Sequence, residues 1–439
     1  MTVSQLPWSC ADSLGAPETG CALWWLGQAG FLIEIGGLRI IIDAYLSDSL
    51  AEKYRGKKFP HIRMTQAPVA ARDLKNIDWL LCTHGHTDHM DPGTIPDLMA
   101  GNPKARVVVP TSQAGRAIER GVPADRMVSV NDGDRLDLGG VELFATPAAH
   151  ETLDRDAEGN ALFLGYALRG SGVTLWHSGD TIPFDGLVEA VAPLFVDIAL
   201  LPVNGRDAVR AGNGVPGNLT LQEAVTLSDR IGAGAMLGHH LDLFDFNTLD
   251  RAEGATWLAA NVPDQSRTLV ELGQRYMLSS KAPGRRRKIL AICRGNICRS
   301  PLAEAVLTEL LNDHDEWEVD SAAIKDWHVG REPDHRSIDV ARSHGLDLTG
   351  QRARQITPSD FFDFDLILAM DSDNCAALEE LAPLNASARI LRLGDLIEPG
   401  RRHDIIDPYD FDRIEFEKCL HEISMACHIL VKSILSFDI

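Results

Sequence analysis

The stretch SSKAPGRRRK, beginning at residue 279, separates two parts of the chain with different hydrophobic rhythms. A polar, turn-rich and basic run has nothing to bury, and residues 279–287 read as a solvated linker. Before it, over 1–278, short apolar runs follow one another between Gly, Pro and Asp: ALWWLGQAGFLIEI, LRIIIDAY, WLLCTH, ARVVVP, VELFATP, VTLWHSG and IALLPVN. Such runs are strands. Helical patterns such as LTLQEAVTLSDRIG at 219–232 lie between some of them, which implies two sheets with helices outside. After it, over 288–439, strand and helix alternate: KILAIC, SPLAEAVLTELL, WEVDSA, HRSIDVARSHG, FDLILAM, ARILRL and a long helix over roughly 411–436. Alternation of this kind winds a parallel sheet. At 439 residues, each part is long enough to bury its own core.

CRGNICRS, residues 293–300, joins a strand to a helix through a Gly-containing loop. Ser300 reads as the helix cap and Pro301 as the first helical residue. Loop N–H groups and a helix N-terminus together attract phosphate, and Arg299 adds a bidentate guanidinium. Cys293 then sits in an electropositive site that favours the nucleophilic thiolate. A buried structural thiol does not explain the Gly, Arg and Ser at these offsets. Two cysteines without a nearby His or third Cys cannot close a tetrahedral zinc site. A Cys293–Cys298 disulfide could coexist with catalysis.

HGHTDH, residues 84–89, puts His84, His86, Asp88 and His89 into one loop at a strand end. Four ligand-type side chains in six residues point to divalent metal, and to two ions. Further ligands are expected from other strand ends: His150 after ELFATPAA, Asp180 in LWHSGDT, and His239 or His240 in AMLGHH. His177 lies inside a strand pattern and reads as structural.

The part after the linker resembles low-molecular-weight protein tyrosine phosphatases over about residues 287–437. The likeness rests on C-x5-R-S, SAAIKDWHVG, DLTGQRARQITPSDF, DLILAMDSDN and DIIDPYDF. It implies that Cys293 attacks phosphorus to form a phosphocysteine. Arg299 and the loop of Arg294, Gly295, Asn296, Ile297 and Cys298 would hold the phosphoryl oxygens. Asp407 would protonate the leaving oxygen and then help activate water. Asn296, Ser300 and Ser321 match positions that shape the loop, and Trp327 and Tyr409 match the pocket rim. Gln351 replaces a His common in relatives, and Asp410 departs from the usual aromatic or small residue. These two changes together imply a reduced preference for phosphotyrosine. Arsenate reduction ranks lower, because Cys375 has no close cysteine partner in its segment.

Residues 20–278 resemble the metallo-β-lactamase fold and, more narrowly, hydrolases of the ascorbate-6-phosphate lactonase type. WWLGQAG, CTHGHTDHMD, LWHSGD and GHHLDLF carry the likeness. It implies an αββα sandwich with two divalent ions, zinc or manganese. His84, His86 and His150 would hold one; Asp88, His89 and His239 the other; Asp180 would bridge. It favours His239 over His240, and gives Asp43 the role of orienting the histidine loop.

The expected architecture is therefore two domains: an αββα metallo-β-lactamase-type sandwich, then an α/β parallel-sheet phosphatase domain. A net charge of −21 disfavours a nucleic-acid footprint or an anionic membrane surface, and leaves room for a small phosphorylated substrate or a phosphoprotein. No apolar run spans a bilayer and the start lacks a signal-peptide pattern. Eight irregularly spaced cysteines argue against a disulfide framework and suit a reducing cytoplasm. The expected function is a bifunctional hydrolase: metal-dependent lactone or ester opening with cysteine-dependent phosphate removal. The alternatives are phosphodiester cleavage followed by monoester removal, or a protein-tyrosine phosphatase with a metal-dependent sensing or hydrolase domain.

Overall fold

Ile, Leu, Val and Trp dominate the runs that become strands, and several are buried on both faces. Every residue of Cys21–Gly27, Gly30–Ile35 and Val173–His177 is inaccessible to solvent or nearly so. A computed structural model describes residues 2–5, 19–262, 266–278, 287–315, 317–383, 386, 388–397 and 401–435. The expected linker lies outside the described residues, apart from Arg287, which opens a strand. One compact unit comprises Met1–Leu187 and Val196–Lys281; the other comprises Val188–Phe195 and Ala282–Ile439. The sequence pattern gave no sign that Val188–Phe195 groups with the second unit.

The first unit holds two sheets. The eight-stranded sheet runs Thr2–Gln5, Gln274–Leu278, Cys21–Gly27, Gly30–Ile35, Leu38–Ile42, Trp79–Leu81, Arg106–Pro110 and Met127–Val130. The seven-stranded sheet runs Arg267–Leu269, Ala235–His239, Ile198–Pro202, Val173–His177, Leu164–Gly170, Glu142–Pro147 and Arg135–Asp137. Their inner faces meet: Tyr166 Oη donates to the Cys82 carbonyl at 2.9 Å, and the Phe31 ring packs on His177 and His239. Helices cover the outside. Leu98 and Met99 of Ile95–Gly101, with Ala117 of Ala114–Glu119, pack against strand residues such as Val107 and Val109. Leu221–Arg230 begins at a capping box between Thr220 and Glu223, which satisfies two otherwise open N–H groups. This is the αββα sandwich.

In the second unit four parallel strands are ordered Trp317–Ala323, Arg287–Cys293, Leu366–Ala369 and Arg389–Arg392. Their pleat divides the core by parity. Ile289, Ala291 and Cys293 pack with residues of the helices Arg299–Leu310, His335–Ser343 and Arg413–Leu435. Leu290 and Ile292 face Phe361 and Leu378 on the other side. The helix after the Cys loop starts at Arg299, with Cys298 rather than Ser300 in the cap position and no side chain capping it. Ser300 turns its hydroxyl back to Cys293 instead, which leaves the helix N–H groups free to face the loop.

Candidate active sites

In the first unit, strand ends converge on one polar pocket. The loop 84–89 follows Trp79–Leu81, His150 follows Glu142–Pro147, Asp180 follows Val173–His177, and His240 follows Ala235–His239. Three groups of ligand-type atoms each lie within 4.8 Å of one another: His84, His86 and His150; His84, His89 and Asp180; Asp88, His89 and His240. Asp180 is shared. Its Oδ2 lies 3.2 Å from His89 Nε2 and 3.3 Å from the Nε2 atoms of His150 and His240.

The far side of several rings is already held. His89 Nδ1 is 2.7 Å from Asp43 Oδ2, and His150 Nδ1 is 3.0 Å from the Gly217 carbonyl. Asp43 also accepts from Thr83 N at 2.8 Å and Thr83 Oγ1 at 2.6 Å, so one buried carboxylate ties the loop's start to its last histidine. Such partners fix which nitrogen faces inward. Burial pushes the His84 imidazole well down and His86 down to about 4, which leaves both neutral at pH 7. Burial also opposes a charge on His89, but the carboxylates of Asp180, Asp43 and Asp88 override it and push His89 well up. His84 Nε2 and Asp180 Oδ1 are buried without a hydrogen-bond partner. Inward-facing nitrogens around a shared carboxylate, with buried donor atoms left open, are the donor set that suits divalent cations.

The structure does not bring His239 to this pocket. Strand alternation turns its ring between the sheets, where it stacks on His177 at 4.8 Å and meets Phe31 at 5.5 Å. One residue later the backbone enters the left-handed region at His240 (φ 64°), and that turn delivers the His240 ring to Asp88 and Asp180. The second group therefore contains His240 in the place expected for His239. His177 holds the Ala29 carbonyl through Nε2 at 2.9 Å and accepts from Gly179 N at 3.0 Å, both structural contacts. Gln28 was not singled out beforehand: its Nε2 lies 2.9 Å from Asp88 Oδ2 and 3.1 Å from His240 Nε2.

In the second unit, Cys293 ends its strand with Sγ 3.1 Å from Ser300 Oγ. Asn296, at φ 54°, donates from Nδ2 to Ser300 Oγ at 2.9 Å and to Ser321 Oγ at 2.8 Å, while its Oδ1 accepts from Arg354 N at 3.0 Å. That network holds the loop in shape. Arg299 is 2% exposed. Its Nη1 donates to Asp371 at 2.5 Å and to the Ile405 carbonyl at 2.9 Å, its Nη2 donates to Asp407 at 2.7 Å, and Nε is unpartnered. Trp327 and Tyr409 are exposed, and the Arg294 guanidinium stacks over Trp327 at 5.4 Å. Gly295 and Ile297 are half-buried within the loop. Cys298 is buried, and both loop cysteines are free thiols. Burial pushes the Cys298 thiol up, away from its anion. Gln351 donates to the Pro301 carbonyl at 3.2 Å. Asp371 and Glu304 went unassigned in the sequence. Asp371 sits in the quoted run DLILAMDSDN, and its role needed the Arg299 geometry to become visible.

Comparison with known proteins matches residues 288–436 to the family described as low molecular weight phosphotyrosine protein phosphatase, and residues 38–241 to a beta-lactamase superfamily domain. The low molecular weight phosphotyrosine protein phosphatase 2 of Drosophila melanogaster is 42% identical over 149 residues, covering 33% of this chain and 90% of that protein. The pig (Sus scrofa) low molecular weight phosphotyrosine protein phosphatase is 39% identical over 153 residues, covering 34% and 96%. A solved metallo hydrolase, Igni18 from Ignicoccus hospitalis, is 19% identical, with a TM-score of 0.44, covering 60% of this chain and 100% of that one.

Proposed function

We propose, for a chain that belongs to the low molecular weight phosphotyrosine protein phosphatase family through residues 288–436 and carries a beta-lactamase superfamily domain over residues 38–241, that its two hydrolase sites act on one phosphorylated metabolite. The metal-dependent site opens a lactone or related ester, and Cys293 removes the phosphate. The observation that supports this reading is the presence of two separate reactive sets in one chain, each with its own nucleophile source and its own proton-handling carboxylate.

At the second site Cys293 Sγ attacks phosphorus as the bond to the leaving oxygen breaks, and Asp407 gives that oxygen a proton. Water then attacks the phosphocysteine, Asp407 takes its proton, and phosphate and the thiolate are released. Arg299, anchored by Asp371 and the Ile405 carbonyl, offers Nε and Nη2 to the phosphoryl oxygens as Asp407 exchanges onto the substrate. The exposed rings of Trp327 and Tyr409 would flank the leaving group.

At the first site His84, His86 and His150 would hold one cation, Asp88, His89 and His240 the other, with Asp180 between them. Bound divalent ions, zinc or manganese, supply a hydrolytic water of lowered pKa and polarise the ester carbonyl. Asp43 keeps His89 oriented. Asp88, whose side chain is 17% exposed, is the carboxylate open to an entering substrate and would take up the proton released in hydrolysis. Seven free cysteines among the described residues suit a reducing cytoplasm.

The test is a screen of full-length protein reconstituted with zinc or manganese, on sugar-phosphate lactones, phosphodiesters and phosphomonoesters. Lactone opening should vanish with a chelator and in His84→Ala, while phosphomonoester turnover vanishes only in Cys293→Ser. Cleavage of phosphodiesters in place of lactones would move the assignment to the diester reading. Turnover of phosphotyrosine peptides with no metal-dependent ester hydrolysis would overturn the metabolite reading.

A further inference from the structure

Gln28 is tied twice to the same cation position. It sits in the tight turn between Cys21–Gly27 and Gly30–Ile35, 1% exposed, with a left-handed backbone (φ 51°). A non-Gly residue holds that conformation at a cost, and only where its surroundings impose it. Here they do. The Gln28 carbonyl accepts from Trp25 Nε1 at 2.9 Å and from the His240 backbone N–H at 3.0 Å. Its side chain then reaches back to the same histidine and to Asp88. Both ends of one residue are thus fastened to the Asp88–His89–His240 group, and its Oε1 remains buried without a partner.

Building on the metal-centre reading above, we propose that Gln28 is a member of that second cation position, supplying its amide oxygen as a neutral ligand when the cation is bound. The amide nitrogen donates to Asp88 Oδ2 and lies against His240 Nε2, which places the carboxamide against two of the groups that would hold the cation. With His240 Nε2 and Asp88 committed to a cation, the amide hydrogens would face like charge and the amide oxygen would be favoured in their place. A half-turn about the last side-chain torsion exchanges nitrogen and oxygen in place, because the carboxamide has nearly the same shape both ways. The two positions then differ in chemistry. His84, His86 and His150, with Asp180 Oδ2 3.3 Å from His150 Nε2, would make a nitrogen-rich, four-ligand set that suits zinc. Gln28, Asp88, His89, His240 and Asp180 would make a larger, oxygen-rich set that suits manganese.

The test is cation binding rather than turnover. Metal-free full-length protein is titrated with manganese, with free ion read from its paramagnetic resonance signal, and again after one equivalent of zinc has been added. Wild type should bind zinc at one position and manganese at the other. Gln28→Ala and Gln28→Met should weaken the manganese position by about 10-fold or more and leave the zinc position unchanged. Gln28→Glu, which presents an oxygen in either rotamer, should retain manganese. The Met variant fills the turn without a donor, so a loss shared by Ala and Met but not Glu is not a packing effect. Manganese affinity in Gln28→Met equal to or tighter than wild type overturns the proposal alone. Wild type that binds no divalent ion overturns the metal-centre reading and the proposal with it.

Discussion

Glu304 stands at the end of a hydrogen-bond chain that starts at the nucleophile. Cys293 Sγ meets Ser300 Oγ, Asn296 Nδ2 bonds both Ser300 and Ser321, and Ser321 Oγ donates to Glu304 Oε2 at 2.5 Å. Burial pushes the Glu304 carboxyl up to about 7, against the Ser321 hydrogen bond. A carboxyl raised in the folded protein prefers its proton there. The stability it contributes is complete below its ordinary value near 4.5 and is lost as pH rises through about 7. Glu304→Gln keeps the acceptor for Ser321 and removes the titration. It should flatten the fall in stability between pH 5 and pH 8, by roughly 2 kcal/mol, read as urea midpoints of the second unit at both pH values. An unchanged pH profile would show that Glu304 is ionised throughout. The histidine pair gives a second contrast at this scale. His240→Ala should weaken cation binding at least as much as the ~10–100-fold loss typical of a supporting residue. His239→Ala opens a cavity between the sheets and should cost about 2 kcal/mol with cation affinity nearly intact. Equilibrium dialysis and urea unfolding in chelator separate the two. The family resemblance favoured His239, whereas the fold places His240 in the pocket because the choice depends on a single left-handed residue. Gln28, Asp371 and Glu304 were illegible for a related reason: each is one polar residue whose meaning lies in a partner some 60, 72 and 17 positions away.

Elements deliver these residues because the strands stop where the chemistry starts. The ends of Leu38–Ile42, Trp79–Leu81, Val173–His177 and Ala235–His239 release Asp43, the histidine loop, Asp180 and His240 into one pocket. The histidine loop was legible because its ligands lie within six residues. The strands around it were legible from β-branched runs, whereas short edge strands such as Arg135–Asp137 carry too few apolar residues to register. Asp43 joins two of these strand ends. Its left-handed backbone (φ 48°) aims the carboxylate at Thr83 N, Thr83 Oγ1 and His89 Nδ1. Asp43→Ala removes the buried carboxylate that those three groups share, leaving Thr83 N and His89 Nδ1 without it. It should destabilise the first unit by about 3 kcal/mol even in metal-free protein, and weaken cation binding by about 10-fold or more. A urea midpoint in chelator that matches wild type would mean that Asp43 serves the cation alone. The helix Arg299–Leu310 shows the opposite use of an element. Its start is left uncapped by side chains, so sequence rules that look for a capping Ser pick Ser300, while the fold assigns Ser300 to Cys293.

For the whole molecule, the chain divides into two compact units, the second made of Val188–Phe195 and Ala282–Ile439. The contribution of Val188–Phe195 to that unit could not be read from the sequence pattern. The segment is a short helix and turn whose apolar residues look like those of any piece packed on its own neighbours, and nothing in its pattern says which unit's core it joins. Its anchor is Phe195. After the 3-10 turn Ala192–Leu194 the backbone passes through the left-handed region (φ 53°) and places the ring in the core that also holds Trp317, Leu307 and Leu430. The ring meets Trp317 edge-on at 6.2 Å and lies under the Arg389 guanidinium at 5.4 Å. Removing it leaves a cavity beside Trp317 in that core. Phe195→Ala in the full chain should therefore destabilise the phosphatase unit by about 3 kcal/mol. The measurement is thermal inactivation of phosphomonoester hydrolysis in the presence of chelator, which removes any cation contribution from the first unit. Inactivation should move to lower temperature while manganese binding at 25 °C stays as in wild type. Loss of manganese binding with unaltered phosphatase inactivation would instead make Phe195 part of the first unit's core.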